Sequence, residues 1–328
     1  MQSSRWRAIQ IGLVCGILAH PLPSAAREAY RETVGKKGWF LFSQPAKATA
    51  AEQWDYALQL EQAGKAKAAA KQYYRLVARW PQAPEAGLAQ HRYAQWMDRR
   101  DKPLHAFDEY QRLFDRFMGQ FPYDEVLTRQ FEIASDVMQR KKGRFLFMPG
   151  FAAPERAIPL FEKIIANGPG GTRAPEAQFL IGRAHEMGKM YEEAIAAYLT
   201  TLNRYPASAR AEEAGFRAAF CYYRLTAENP NDEQLLESAW AAFSVFLARY
   251  PAGERAKEAE AYRAELLNRR AEMVYRRAYF YDHISHRPEA ALVAYRAFLK
   301  QFPSSKWADE VRERVDVLAP QVEVPHER

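Results

Sequence analysis

An alanine followed four residues later by an aromatic and twelve residues later by a proline recurs five times in this chain. The matches are Ala69-Tyr73-Pro81, Ala157-Phe161-Pro169, Ala194-Tyr198-Pro206, Ala239-Phe243-Pro251 and Ala291-Tyr295-Pro303. A sixth pair, Ala106-Tyr110, reaches its proline, Pro122, one helical turn late. Residues four apart share one face of an α-helix, so the small residue and the ring lie on the same packing stripe. The small side chain lets a second helix approach, the ring fills the space beside it, and the proline, with no N–H to donate, ends the helix. In four units an aromatic stands directly before that proline (Trp80, Tyr205, Tyr250 and Phe302), and Phe121 does so in the long one. Each unit reads as one helical hairpin, and the chain as an all-α stack of about six.

Repeats of this kind bury one continuous core by stacking, so length alone does not set a domain count. Of the 328 residues, 48% are hydrophobic and 27% charged, too much apolar material for a disordered chain. Successive prolines at 81, 122, 169, 206, 251 and 303 are 41, 47, 37, 45 and 52 residues apart. The extra length is placed between the two helices of a pair, at Arg140 to Pro154 in the third unit and Asn229 to Glu233 in the fifth, where loops absorb it at small entropic cost. Ser304 to Leu318 carries Trp307, Val311, Val315 and Leu318 on one stripe and predicts a single helix capping the last hairpin. The organisation expected is a lead-in segment over 27–49, a solenoid over 50–318 and a flexible tail over 319–328.

These offsets resemble the second helix of the tetratricopeptide repeat, a pattern of about 34 residues. The fourth unit is most similar: Gly182, Tyr191, Ala194, Tyr198 and Pro206 fall in register, with Ile181 at the apolar position before the glycine, and the first unit keeps Gly64 at its inter-helix turn. The resemblance implies a right-handed α-solenoid. The chain also resembles the BamD family of outer-membrane β-barrel assembly factors, in Arg204-Tyr205-Pro206-Ala207-Ser208, Arg249-Tyr250-Pro251 and Gln301-Phe302-Pro303-Ser304-Ser305. Its last hairpin, with Ala278-Tyr279-Phe280-Tyr281 and Ala290-Ala291-Leu292-Val293-Ala294-Tyr295, is similar to that family's closing repeat. The aromatic-Pro ending is shared by other periplasmic repeat proteins, among them the CpoB family of cell-division coordinators.

The resemblance to the BamD family implies a non-catalytic scaffold at the inner face of the outer membrane. Its N-terminal groove would accept extended segments of unfolded outer-membrane proteins, and its C-terminal repeats would dock a β-barrel assembly subunit. The second family leaves open a soluble periplasmic scaffold that coordinates envelope, peptidoglycan or division machinery. In such repeats the concave positions come from the first helix of each pair; here these are Trp54, Leu58 and Glu61, then His91, Gln95 and Asp98, then Phe179, Arg183 and Glu186.

Residues 1–26 have the three-part layout of a secretory signal peptide: Arg5 and Arg7, a mostly apolar run from Ala8 to Ala19, and small residues at Ser24 and Ala26 that place the cut after Ala26. The run is interrupted by Gln10 and falls short of the roughly 20 apolar residues a membrane span needs. The residues before Cys15 are Gly12-Leu13-Val14, and Val14 is too large for a lipobox. A periplasmic protein without a clear lipid anchor is expected.

No nucleophile, base and orienting acid form a known motif, so no catalytic role is predicted. Gly168-Pro169-Gly170-Gly171 lacks the Lys-Ser/Thr of a phosphate loop and reads as a turn. Asp282, His283 and His286 lack a further ligand in their motif, so no metal is assigned, nor any cofactor or small-molecule substrate. Cys221 sits in an apolar helical stretch and reads as a buried, inert thiol. The net charge of +7 falls to +5 once Arg5 and Arg7 leave with the leader, too mild to imply nucleic acid. Arg140, Lys141, Lys142 and Arg144, followed by Phe145 and Phe147, form an insertion that a helix stack does not need for stability. It reads either as a cationic helix end with an apolar loop folded back, or as a contact for a partner or an anionic membrane surface.

Overall fold

The six alanine-aromatic pairs are all buried, none of the twelve side chains being more than 3% exposed, in the computed structural model, which describes residues 44–142 and 151–323. The expected leader over 1–26, the lead-in up to residue 43, the loop residues Arg144, Phe145 and Phe147, and residues 324–328 lie outside the described residues. The chain divides into two compact units, one ending at Glu85 and one beginning at Ala86.

The first unit is one antiparallel hairpin, α1 (Ala50–Gln62) and α2 (Ala66–Arg79). A capping box starts it: the Thr49 side chain accepts from the Glu52 N–H, and the Glu52 carboxylate accepts from the Thr49 N–H at 3.2 Å. Gly64, at φ 72°, takes the left-handed turn that lets the Lys65 N–H reach back to the Leu60 carbonyl at 2.9 Å. Across the hairpin the buried Gln53 amide donates to the Gln72 backbone carbonyl at 3.3 Å.

The second unit holds five hairpins and a closing helix. The pairs are α3 (Ala86–Asp98) with α4 (Pro103–Arg116), α5 (Tyr123–Gln139) with α6 (Ile158–Asn167) and α7 (Ala174–Met187) with α8 (Tyr191–Arg204). They continue with α9 (Ala211–Glu228) and α10 (Glu233–Arg249), then α11 (Ala256–Tyr279) and α12 (Pro288–Gln301), closed by α13 (Ala308–Glu323). From α7 onward each helix packs on the one before and the one after, the arrangement of an all-α tetratricopeptide-type solenoid.

Local chemistry repeats as well. Trp80, Tyr205, Tyr250 and Phe302, the residues before the prolines, are the C-caps of their helices, with φ between −128° and −132°. Proline disfavours the helical conformation in the residue before it, so each helix stops there and the chain turns into the next pair. The turns within hairpins carry a left-handed residue at Asp101, Lys189 and His286, where only the first unit uses glycine. Buried Gln90 and Gln178 repeat the bond of Gln53, reaching the Glu109 and Ala197 carbonyls at 2.9 and 3.4 Å.

Three details differ from the sequence reading. The closing helix begins at Ala308 rather than Ser304, because Ser304 to Trp307 form the turn after Pro303, and it runs through Pro320 to Glu323 instead of ending at Leu318. The insertion of the third unit contains a two-residue antiparallel ladder, Lys141–Lys142 with Phe151–Ala152, so the chain is not purely helical at that point. Pro154–Ala157 is a 3-10 turn feeding α6, so Ala157 lies just outside the helix that the spacing assigned it to.

Gly182 shows how tight the hairpin contact is: a Cβ there would stand 2.6 Å from the Tyr198 ring. The ring is fully buried and has no room to retreat. Gly182→Ala is expected to destabilise the second unit by about 1–3 kcal/mol, the usual cost of overpacking, read as a lower urea midpoint with unchanged slope.

Candidate functional site

The nine groove positions expected on the first helices fall into three kinds. Trp54, His91 and Phe179 each brace the tyrosine of the partner helix, with ring centroids 5.3 Å from Tyr73, 6.2 Å from Tyr110 and 5.5 Å from Tyr198. His91 and Phe179 are only 7% and 5% exposed, so they act chiefly in packing. Glu61, Asp98 and Glu186 each accept a hydrogen bond from that same tyrosine hydroxyl, at 2.6, 3.4 and 2.5 Å. Between brace and acid stand Leu58, Gln95 and Arg183, all half-buried.

The acids have a further partner in the second unit. Arg129 on α5 grips Asp98 with Nε and Nη2 at 2.6 and 3.0 Å, and Arg217 on α9 reaches Glu186 at 3.0 Å. The last hairpin repeats the motif: Tyr295 donates to Asp282 at 3.3 Å, and Arg314 on α13 grips Asp282 at 2.5 and 2.8 Å. Each clamp ties a hairpin's two helices together and to the first helix of the next element. Burial and the adjoining carboxylates push the hydroxyls of Tyr110, Tyr198 and Tyr295 well above the ordinary phenol range, so they remain donors.

His91, Gln95 and Asp98 come together with α5 around one cleft of about 540 Å³. Its other walls are Arg99, Tyr110, Asp124, Glu125, Thr128, Arg129 and Glu132. Glu125 accepts from the Gln95 amide at 3.2 Å and lies 3.5 Å from His91 Nε2. Burial lowers the His91 pKa, opposed by Glu125, so the imidazole is neutral at neutral pH. Phe179, Arg183 and Glu186 belong to a different stretch of the same face, where Arg183 approaches Glu186 at 3.8 Å and the Arg210 guanidinium covers the Phe179 ring at 5.1 Å.

The sequence reading missed two groups. The α5 residues Asp124, Glu125, Arg129 and Glu132 face the cleft, and their signal is the 31-residue step from Asp98 to Arg129 that recurs from Glu186 to Arg217. In the fifth hairpin the groove register, carried on from Phe179, Arg183 and Glu186 by the 37 residues that separate the first two sets, falls on Phe216, Phe220 and Tyr223. There Phe220, Tyr223 and Tyr262 form a half-buried aromatic strip, with centroids 4.7 Å apart for Tyr223 and Tyr262, and Tyr223 donates to Glu265 at 3.0 Å.

Of the insertion, Arg140 caps α5 and pairs with Asp101 at 3.0 Å, while Lys141 and Lys142 lie in the short ladder. Cys221 is fully buried, and burial raises its thiol to about 12. Gly168 and Gly171 form the turn between α6 and α7. Among the described residues, no helix is long and apolar enough to cross a membrane, and no three metal-ligating side chains stand together.

Residues 153–311, nearly half of the chain, match the family described as YfiO, outer membrane lipoprotein. The match runs from the 3-10 turn before α6 into α13, and leaves the His91 cleft outside it. No curated protein matches the chain significantly. Among solved structures, the C-terminal part of a tetratricopeptide repeat-containing protein from Cytophaga hutchinsonii is 19% identical, covering 88% of this chain and 93% of its own at a TM-score of 0.34. A tetratricopeptide repeat protein from Parabacteroides merdae is 13% identical over 82% of this chain and 98% of its own, with a TM-score of 0.31. A thermophilic tetratricopeptide protein of Thermus thermophilus is 16% identical over 67% and 99%, with a TM-score of 0.30. At these scores the neighbours carry no argument, and the fold rests on the helix packing above.

The clamp at Asp282 gives a pH signature. Its hydrogen bonds from Arg314, helped by the charge of that guanidinium, hold the carboxyl below the ordinary carboxylate range. A group whose folded pKa is depressed stabilises the fold above its unfolded value, about 4, and that contribution is lost as pH falls through the folded value. Asp282→Asn should lower Tm at neutral pH, with the gap to the wild type closing below pH of about 4. Parallel Tm profiles down the acid limb would count against the clamp.

Proposed function

We propose that the chain is a non-catalytic, protein-binding scaffold of the bacterial envelope, acting in the assembly of β-barrel proteins at the inner face of the outer membrane. The observation that carries this reading is the match of residues 153–311 to an outer membrane lipoprotein family, on a stack of hairpins whose first helices keep half-buried side chains available. Solenoids of this type offer extended surfaces to other proteins. Leu58, Gln95 and Arg183, with Phe220 and Tyr223 in the fifth hairpin, are the side chains through which it would hold extended segments, the aromatics supplying affinity and the charges orientation. The last hairpin and α13 would dock a larger assembly subunit. Entry to the periplasm would follow from the leader over 1–26, and Arg140, Lys141, Lys142, Arg144, Phe145 and Phe147 would add a peripheral contact with a partner or the membrane surface.

The context of Cys15, Gly12-Leu13-Val14, does not suit lipidation and favours a second reading, a soluble periplasmic scaffold for envelope or division machinery. Fractionation of cells producing the full chain separates the two. The first reading expects the protein in the outer-membrane fraction and crosslinked to β-barrel assembly components. Recovery only in the soluble periplasmic fraction, with crosslinks confined to peptidoglycan or division proteins, would replace it with the second.

A further inference from the structure

We propose that the cleft between α3 and α5 receives one cationic side chain, Arg or Lys, carried by an extended segment of a partner protein. This rests on the protein-binding reading above and names the chemistry that one of its subsites would select.

The four carboxylates of the cleft are not equivalent. Asp98 and Glu132 share one guanidinium, that of Arg129, which holds the first through two bonds and the second at 2.7 Å. The same walls therefore already seat one guanidinium, supplied by the chain itself. Glu125 is held differently. The Gln95 amide at 3.2 Å fixes it from α3, and His91 Nε2 stands at 3.5 Å, so the groups that position this carboxylate bring no positive charge. Asp124, the neighbouring wall residue, adds a second exposed carboxylate. An anchored anion without its own cation, at the side of a cleft of about 540 Å³, is prepared for a cation from outside. Partial enclosure strengthens the attraction relative to an open surface.

His91 makes the site pH-sensitive. It is 7% exposed, lines the cleft, and makes no hydrogen bond shorter than its approach to Glu125 among the described residues. Burial holds it neutral, with Arg92 on its own helix acting in the same direction and Glu125 against it; Tyr110 from α4 faces its ring. As pH falls, the imidazole gains a proton beside Glu125, supplies the missing cation itself and competes with the ligand.

The test uses the full chain and fluorescence anisotropy with three labelled dodecapeptides, identical except for Arg, Gln or Glu at one central position. The Arg peptide is expected to bind about tenfold more tightly than the Gln peptide, and the Glu peptide most weakly, as charge complementarity selects partners. Glu125→Gln keeps the size and the Gln95 contact of an exposed side chain, so Tm should hold while the Arg-to-Gln ratio falls towards one. Lowering pH below the ordinary imidazole value, until His91 gains its proton, should reduce that ratio in the wild type and leave the variant's unchanged. Equal binding of all three peptides overturns the cation subsite while the protein-binding reading stands. So does an Arg preference that survives Glu125→Gln. If no peptide binds but envelope crosslinking still captures a partner, the subsite alone fails; if nothing is captured either, both fail.

Discussion

The solenoid depends on a close approach between the two helices of each hairpin, made by a small residue and secured by a ring one turn later. In the fourth hairpin Ala194 and Tyr198 are fully buried, and Gly182 on the facing helix leaves room for the ring and nothing more. Since each hairpin buries its apolar face only against its neighbours, this contact sets where every first helix lies. The side chains available to a partner are the remainder, those that the packing does not consume.

The tyrosine ring is a hydrophobic filler with one polar atom that must be satisfied. A buried hydroxyl without a partner costs about 1–3 kcal/mol, so each such tyrosine requires an acceptor on the facing helix. Glu61, Asp98, Glu186 and Asp282 supply it. In the second unit an arginine from the following element then neutralises the acid, and a local requirement becomes a link between successive hairpins. The third and fifth hairpins follow the same logic in reverse. There the ring is Phe161 or Phe243, and the position twelve residues earlier is Pro149, outside the described residues, or Asn231, in the turn after α9. With no acid at that position, a phenylalanine avoids the unsatisfied hydroxyl.

Much of this was legible from spacing. The Ala-aromatic-Pro offsets locate all six second helices, because a stripe of one small and one large residue leaves a local trace in the sequence. The ends of α13 were less legible, since turn residues and a tolerated proline decide them within a residue or two. The ladder at Lys141–Lys142 left no periodic trace, being too short to alternate. At the candidate site, register alone named His91, Gln95 and Asp98 together, and they do line one cleft. Register does not separate a side chain that braces a ring from one that faces outward: Trp54, His91 and Phe179, expected as contacts, each lie tilted against a tyrosine. The α5 wall of the cleft belongs to the next hairpin, and only long-range pairing, such as Arg129 with Asp98, reveals it.

The half of the chain that matches the family and the half that carries the cleft make different contributions to one surface. Within the second unit, the first helices change from polar at α3 and α5 to aromatic at α9 and α11, although the scaffold beneath them repeats. A repeat protein with one uniform groove would tolerate sliding of a bound segment from one hairpin to the next. Fixed carboxylates in one place and a fixed ring strip in another make successive stretches of this face chemically distinct. The burial of Tyr and acid inside each hairpin is what frees the intervening position to vary, as Gln95, Arg183 and Phe220 do, without disturbing the stack.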